Sequence, residues 1–468
     1  YGGPNVAKPM HVGHLRATII GDSIKRLFRH AGYEAIGDIH MGDWGLPMGM
    51  LISEIAERRP DLPYFDPDAI AFPTEPPVSL DDLVELYPQA AAACKESEQR
   101  AESARLATAE LQSGRAGYRA LWRHFIDLSV AALKQDFGEL GVAFELWKGE
   151  ADVDPLLAPM VEDLRRKGIA EKSDGAIIVQ VTEPEDKTDI PPLILLKSDR
   201  SANYATTDVA TIVDRMNSYS PVAMLYVVDQ RQALHFEQVF RTVRRGALVA
   251  EDTLLEFVGF GTMNGPDGKP FRTRAGGVMR LADLIGMAVE RARDRLAQEG
   301  LGQDYPQEEQ EQIAHRVGIA ALKFADLQSH RQTNYVFDID RFTAFEGKTG
   351  PYLLYAAVRI KSLLKRAGDQ GLSEGPVQPM QGQDAALAMV LGEFPSAFAS
   401  ALDKRAPSEL CDHAYQLCQA FSRFYAECHI LSESDARRQS GWLRLSSLTL
   451  RQLETTLNLL GIEVPDRM

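Results

Sequence analysis

Apolar positions in the first 52 residues change period twice. Val6 closes a short apolar stretch, Pro9-Met10-His11-Val12-Gly13-His14 reads as a turn, and Leu15 to about His30 follows the spacing of an amphipathic helix. Ala31-Gly32 stops that helix, and Ala35-Ile36-Gly37-Asp38-Ile39 is the next short strand. Strand, helix and strand in this order predict a βαβ unit, the opening of a parallel sheet. From Pro60 to Glu150 the texture changes: Pro60, Pro63, Pro67, Pro73, Pro76 and Pro77 lead into a long, charged, alanine-rich helical pattern, which reads as an insertion. Strand-like runs return at 176–181, 193–196 and 224–228, with a helical pattern at 207–217 between the last two, so the alternating α/β layout is expected to resume. A Gly-rich loop covers 261–277, and helices continue to about Phe345. From Glu346 every segment is helical by period: 351–366, 384–391, 406–427 and 441–460. The predicted fold is an α/β domain with a parallel sheet and an insertion, followed by an all-α bundle that starts near residue 346. No internal repeat is visible.

Composition narrows the class. At 468 residues the chain is long enough for two to four domains, and 45% hydrophobic with 25% charged residues is the profile of a globular protein. No uninterrupted apolar run is longer than the seven residues of 222–228, far short of a membrane span, so no membrane is expected. Cys94, Cys411, Cys418 and Cys428 form no CxxC pair, which argues against a disulfide framework and a structural zinc and favours a reducing, cytoplasmic compartment. The net charge of −15 argues against a protein that coats nucleic acid, and DNA is not an expected partner. The imbalance is uneven, however. From Glu346 on there are 13 basic and 14 acidic residues, against 38 and 52 before it, so the helical part can present a local basic face to a polyanion. The chain opens on Tyr1 and not on Met, which is read as a fragment or processed product with something upstream.

The sharpest chemical signal is His11-Val12-Gly13-His14. Two imidazoles at i and i+3 share one face of a helix's first turn, where free N–H groups and the dipole already favour an anion. Residue frequencies give roughly 0.02 expected chance occurrences of HxGH in a chain of this length. Gly13 removes a side chain and lets a flat base or a backbone approach. Lys8, three residues earlier, is a cation within reach of the same phosphates. A second cationic candidate is the loop Gly268-Lys269-Pro270-Phe271-Arg272-Thr273-Arg274-Ala275-Gly276-Gly277; basic Gly-rich loops are common, and most are merely exposed.

The segment Gly3-Pro4-Asn5-Val6-Ala7-Lys8-Pro9-Met10-His11-Val12-Gly13-His14-Leu15-Arg16 resembles the opening motif of arginyl-tRNA synthetases. Further matches follow in family order: Gly42-Asp43-Trp44-Gly45, Gly49-Met50-Leu51-Ile52, Tyr204-Ala205-Thr206-Thr207-Asp208, Gln232 to His235, and Gly268 to Gly277. Phe345-Glu346-Gly347, Gly350-Pro351-Tyr352 and the last eight residues resemble the family's anticodon-binding domain. The resemblance implies a class I nucleotide-binding catalytic domain and an α-helical anticodon-binding bundle. The expected divisions are 1–60 for its first half, 61–190 for the inserted region, 191–260 for its second half, 261–345 for the signature loop and stem-contact helices, and 346–468 for the anticodon domain.

The activity implied is ligation of L-arginine to tRNA(Arg) through an arginyl-adenylate, with ATP and substrate-associated Mg2+. Lys8, His11 and His14 would be catalytic. His11, Gly13, His14, Lys269, Arg272 and Arg274 would hold ATP phosphates. Asn5, Tyr204, Asp208 and Gln232 would bind arginine. Tyr352, Arg359 and Arg366 would meet tRNA, and a monomer is expected. The chemistry agrees: a guanidinium is planar, permanently charged and best selected by a carboxylate with an aromatic or hydroxyl neighbour.

Three departures matter. The lysine-methionine-serine-lysine loop of class I enzymes is replaced by residues 270–274, and in the family the lysine before the histidine motif is thought to substitute, which points to Lys8. Gly2-Gly3 stands where many relatives carry serines. The family's N-terminal domain and its acidic residue just upstream of this motif do not appear in these 468 residues. Rival readings are another class I synthetase of the cysteinyl or methionyl type, a small nucleotidyltransferase, and a catalytically weak tRNA-binding paralogue. The isolated Cys94 speaks against the first, the large helical part against the second, and the complete set of site residues against the third.

Overall fold

A computed structural model describes residues 1–265, 267–269, 271 and 279–468. The chain runs α1 (Val12–His30), β1 (Asp38–Met41), α2 (Leu46–Arg58), α3 (Leu80–Glu96), α4 (Glu98–Gln112), α5 (Ala116–Glu139), β2 (Leu146–Gly149), α6 (Glu150–Arg166), β3 (Ala170–Ser173), β4 (Ala176–Val179), β5 (Leu193–Leu196) and α7 (Tyr204–Tyr219). It continues through β6 (Ala223–Asp229), α8 (Ala233–Arg245), β7 (Leu254–Phe260), β8 (Met263–Asn264), α9 (Leu281–Gln298), α10 (Gln307–Leu327), β9 (Tyr335–Val336) and α11 (Ile339–Phe342). The remainder is helical: α12 (Gly350–Asp369), α13 (Gln383–Gly392), α14 (Phe394–Asp403), α15 (Ser408–Glu427) and α16 (Ala436–Leu459). Two units organise these elements, one of residues 1–10, 38–135 and 144–259, the other of residues 11–37, 136–143 and 260–468.

In the first unit β1 pairs parallel with β2, and β6 pairs with β7. The chain start continues this layer: Val6 donates its N–H to Gly42 at 3.0 Å, Gly42 donates to Pro4 at 3.2 Å, and Asn5 forms a parallel bridge to Gly42. A Cβ on Gly42 would lie 2.2 Å from Asn5 Oδ1, so a side chain there would displace the Asn5 amide. The strands at 176–179 and 193–196 do not continue the alternating α/β order. They form an antiparallel sheet in the order β3-β4-β5. The cause is local: Asp174 (φ 47°) and Gly175 (φ 84°) make a two-residue hairpin turn that reverses the chain between β3 and β4. Helices α6, α7 and α8 bury Val153, Leu164, Val209, Ile212, Val239 and Val243 with this sheet's Val179, Leu193 and Leu195 in one apolar core.

In the second unit α10 is the hub. Its second half is buried on every side, and a Cβ on Gly318 would meet the Val289 backbone at 2.9 Å, so glycine sets how closely α9 and α10 approach. Arg16 of α1 is buried and pairs with Asp326 of α10 at 3.2 Å, while Lys323 donates to the carbonyl of Gly461 at 2.5 Å. The C-terminal end of α16 is further held by Ser23 Oγ, which donates to Leu459 O at 2.9 Å. Helices α12 to α16 form the all-α part. One of its segments bears on the expectation of no membrane span, which rested on uninterrupted apolar runs. By length and composition alone Gln383–Asp403 would suffice to cross a membrane, since an 18-residue window within it has mean hydropathy 1.5, although Glu393 divides it into two helices. Alanines between the large apolar residues raise the mean. Only 11% of that window is buried, and α14 packs against α15 and α1.

Candidate active site

The second unit carries the imidazole pair. His11 is the N-cap of α1: its Nδ1 accepts the N–H of Gly13 at 3.0 Å, and His14 Nδ1 accepts the N–H of His11 at 3.1 Å, a reciprocal capping box made with rings. The rings lie 4.0 Å apart. Burial, and then the neighbouring charge of His11, lower the pKa of His14 to about 4, so it is neutral at pH 7. Its Nδ1 is occupied as an acceptor, which puts the proton on Nε2, a donor suited to a phosphate oxygen. A Cβ on Gly13 would lie 2.8 Å from the His11 ring. Gly13→Ala is therefore expected to displace His11 from its capping position, costing about 1 kcal/mol of helix stability and a larger share of activity, as read by thermal melting beside kcat.

The returning end of the Gly-rich loop reaches this helix start. Val12 donates its N–H to Met279 O at 3.0 Å, and His11 forms an antiparallel bridge with Arg280. Lys269 is exposed in a turn closed by Gly265 N–H to Lys269 O at 2.8 Å. Arg272 and Arg274 lie outside the described residues.

The first unit carries the carboxylate cluster. Tyr204 opens α7, capped by Asn203, and Asp208 follows one turn later on the same face. Asp208 Oδ2 is 2.6 Å from His235 Nε2, and the Tyr204 and His235 rings are 4.8 Å apart, so the three side chains form one group, with Tyr204 62% exposed. Gln232 is exposed at the start of α8, three residues before His235. No sequence pattern assigns a role to His235, although it lies in the Gln232 to His235 stretch. The same holds for Glu150, whose carboxyl pKa is raised by burial and then by the charge of Asp208, and for His40, whose pKa burial lowers while Asp208 and Asp38 oppose. Nothing in spacing links residues 40, 150, 208 and 235. Asn5 is exposed beside Gly42, and Lys8 is half-buried.

Trp44 packs: its Nε1 donates to Asp154 at 2.9 Å, and its ring meets Trp122 edge-on at 5.3 Å. Asp43 accepts the N–H of Ala151 at 3.0 Å at the start of α6, and burial raises its pKa from the ordinary 3.8 to about 7. The folded state therefore holds the proton more tightly, and this contribution to stability is complete below pH 3.8 and lost as pH rises through about 7. Asp43→Asn keeps the acceptor without the charge. Its stability gain over the parent is expected to grow between pH 4 and 7 and then level off, at no more than about 4 kcal/mol, as followed by denaturant midpoints. Asp43 also lines a cleft of about 590 Å³ with Arg119, Trp122, Lys134 and Trp147, which none of the expected arginine-binding residues lines.

On α12 of the second unit, Arg359 lies 4.3 Å over the ring of Tyr425, and Arg366 donates to its hydroxyl at 3.2 Å. Tyr352 packs beside Tyr415 at 5.8 Å. Lys361, on the same helix as these arginines, pairs with Glu454 at 3.0 Å and donates to Pro465 O at 3.2 Å, because its face of α12 meets α16 and the C-terminal tail.

Comparison with known proteins places these clusters in a family. Residues 1–339 match the profile of the class I tRNA synthetase (R) catalytic domain, and residues 353–468 match the DALR anticodon binding domain. The chain is 56% identical to the arginine–tRNA ligase of Maricaulis maris and 52% identical to that of Hyphomonas neptunium, in each case over all of this chain and 80% of the relative. The structure of Plasmodium falciparum arginyl-tRNA synthetase aligns with a TM-score of 0.81 at 26% identity, over 100% of this chain and 76% of that one. Mycobacterium tuberculosis methionyl-tRNA synthetase, at 13% identity and a TM-score of 0.57 over 99% of this chain and 92% of that one, shares the fold. With both domain profiles matched in order and more than half of its residues identical to those of such a ligase, the chain belongs to the arginyl-tRNA synthetase family of class I.

Proposed function

We infer that the chain ligates L-arginine to its cognate tRNA through an arginyl-adenylate, with ATP entering as its magnesium complex. The observation that carries this reading is the Tyr204, Asp208 and His235 group in a chain of this family: a carboxylate flanked by two rings, one half-open to solvent, suits a planar cation. An oxygen of the arginine carboxylate attacks the α-phosphorus of ATP, the bond from that phosphorus to the bridging oxygen breaks, and pyrophosphate leaves. A ribose hydroxyl of the terminal tRNA adenosine then attacks the activated carbonyl carbon and loses its proton as AMP departs.

In this reading Asp208 and Tyr204 select the guanidinium, and Asn5 and Gln232 meet the groups around the α-carbon. Lys8 neutralises charge building on the phosphates while His11 and the neutral His14 donate hydrogen bonds to their oxygens, the kind of electrostatic stabilisation that is often the largest catalytic contribution. Lys269, Arg272 and Arg274 supply further cations, and Tyr352, Arg359 and Arg366 contact tRNA. The chain is proposed to act as a monomer in the cytoplasm, where its four unpaired cysteines stay reduced. Because His14 titrates near pH 4, the adenylation rate is expected to hold between pH 8 and 6 as far as this residue is concerned.

Pyrophosphate exchange tests the reading. Arginine-dependent exchange is expected only once tRNA is added; robust exchange without tRNA, or exchange driven by another amino acid, would count against it.

A further inference from the structure

Lys8 is fixed from two sides by helices of the inserted region. Ala7 before it is fully buried and has φ 61°, in the left-handed region, although it carries a Cβ; its N–H donates to Ser129 Oγ of α5 at 2.9 Å. A residue is held in such a conformation only when its surroundings over-determine it, so the backbone that presents Lys8 has little freedom. The side chain then extends to α3, where Nζ lies over the ring of Tyr87, 4.2 Å from its centroid. Among the described residues no carboxylate pairs with Lys8.

We propose that Tyr87 is a positioning residue for the Lys8 ammonium, its ring holding the cation on a neutral face from which an ATP phosphate takes it over. The inference rests on the assignment of Lys8 to the phosphates and adds what aims it. A carboxylate in the same place would cancel the charge that the reaction uses, and separating the pair would cost its Coulomb attraction. An aromatic face attracts the ammonium through its quadrupole, restricts a flexible four-carbon stem, and leaves the full positive charge available to a third group. The insertion gains a catalytic reason for its position in the chain: α5 sets the backbone at Ala7, and α3 sets the side chain of the next residue.

A double-mutant cycle tests this with arginine-dependent pyrophosphate exchange in the presence of tRNA. Tyr87→Leu is expected to lower kcat roughly fivefold with the KM for arginine unchanged. Tyr87→Phe keeps the ring and is expected to recover most of the rate. In a Lys8→Ala background Tyr87→Leu is expected to change nothing further. Thermal melting accompanies each variant, and Tyr87→Met, whose flexible unbranched chain adapts to the space without supplying a ring, replaces Leu where Leu unfolds the chain. A normal rate for the ringless variant beside an impaired Lys8→Ala overturns the inference, as does an equal loss in both backgrounds. A normal rate for Lys8→Ala itself overturns the assignment of Lys8, and the inference with it, by a separate result.

Discussion

Replacing Asp208 by Ala is expected to raise the arginine concentration needed for half-maximal charging by roughly 30- to 1,000-fold while leaving the ATP dependence near its parent value. The carboxylate lies 2.6 Å from His235 Nε2, and its side chain is only 19% exposed. A guanidinium bound there without it would lose water on one side and gain no counter-charge, which is the costly half of a broken ion pair. Asp208→Asn keeps the shape and removes only the charge, so a comparable loss separates charge from packing. Steady-state KM values for arginine and ATP, measured on the same preparations, check this. An unchanged arginine KM would remove Asp208 from the pocket. Selectivity of this polar kind can be high without editing, because a competitor lacking the cation leaves the pocket's groups unpaired.

The second large effect is structural. Asp326→Ala is expected to destabilise the second unit by about 3–5 kcal/mol, because it leaves the guanidinium of Arg16 buried without its counter-charge. Arg16 is 2% exposed and among the described residues otherwise donates only to the carbonyls of Gly261 at 2.7 Å and Thr333 at 3.2 Å, while Asp326 also accepts the Tyr335 hydroxyl at 3.1 Å. Denaturant midpoints read the loss. Replacing both partners, as Arg16→Met with Asp326→Leu, is expected to restore most of it, since apolar residues of similar size leave no orphaned charge. The pair also ties α1, which carries His11 and His14, to the strand ends at 261 and 333. The single variant should therefore lose adenylation rate at temperatures where it is still folded. A shift below about 0.5 kcal/mol for Asp326→Ala would contradict this account.

Much of this was legible along the chain because it is local. The period of apolar residues marks α1, α12, α15 and α16, and the pair His11 and His14 lies within one helical turn, so both its position and its chemistry can be read from four adjacent letters. The hairpin at Asp174-Gly175 is equally local, since Asp-Gly between apolar runs is a strong reversal signal, and it makes the strand at 176–179 antiparallel to its predecessor where an alternating α/β order is expected. What could not be read is what folding brings together from distant positions. His235 meets Asp208 from 27 residues away, Tyr87 meets Lys8 from 79 and Asp326 meets Arg16 from 310, and no single-sequence pattern encodes those pairings. Lys361 shows the converse: it shares a helix with Arg359 and Arg366, but a residue two positions from Arg359 points to a different face, and there it finds Glu454 instead of solvent.

The most direct measurement is a charging assay in which each of the twenty amino acids is offered separately, with ATP, magnesium and total tRNA, to the intact chain. Esterification of arginine alone is the predicted result. Transfer of a different amino acid, or no transfer of arginine, would contradict the account.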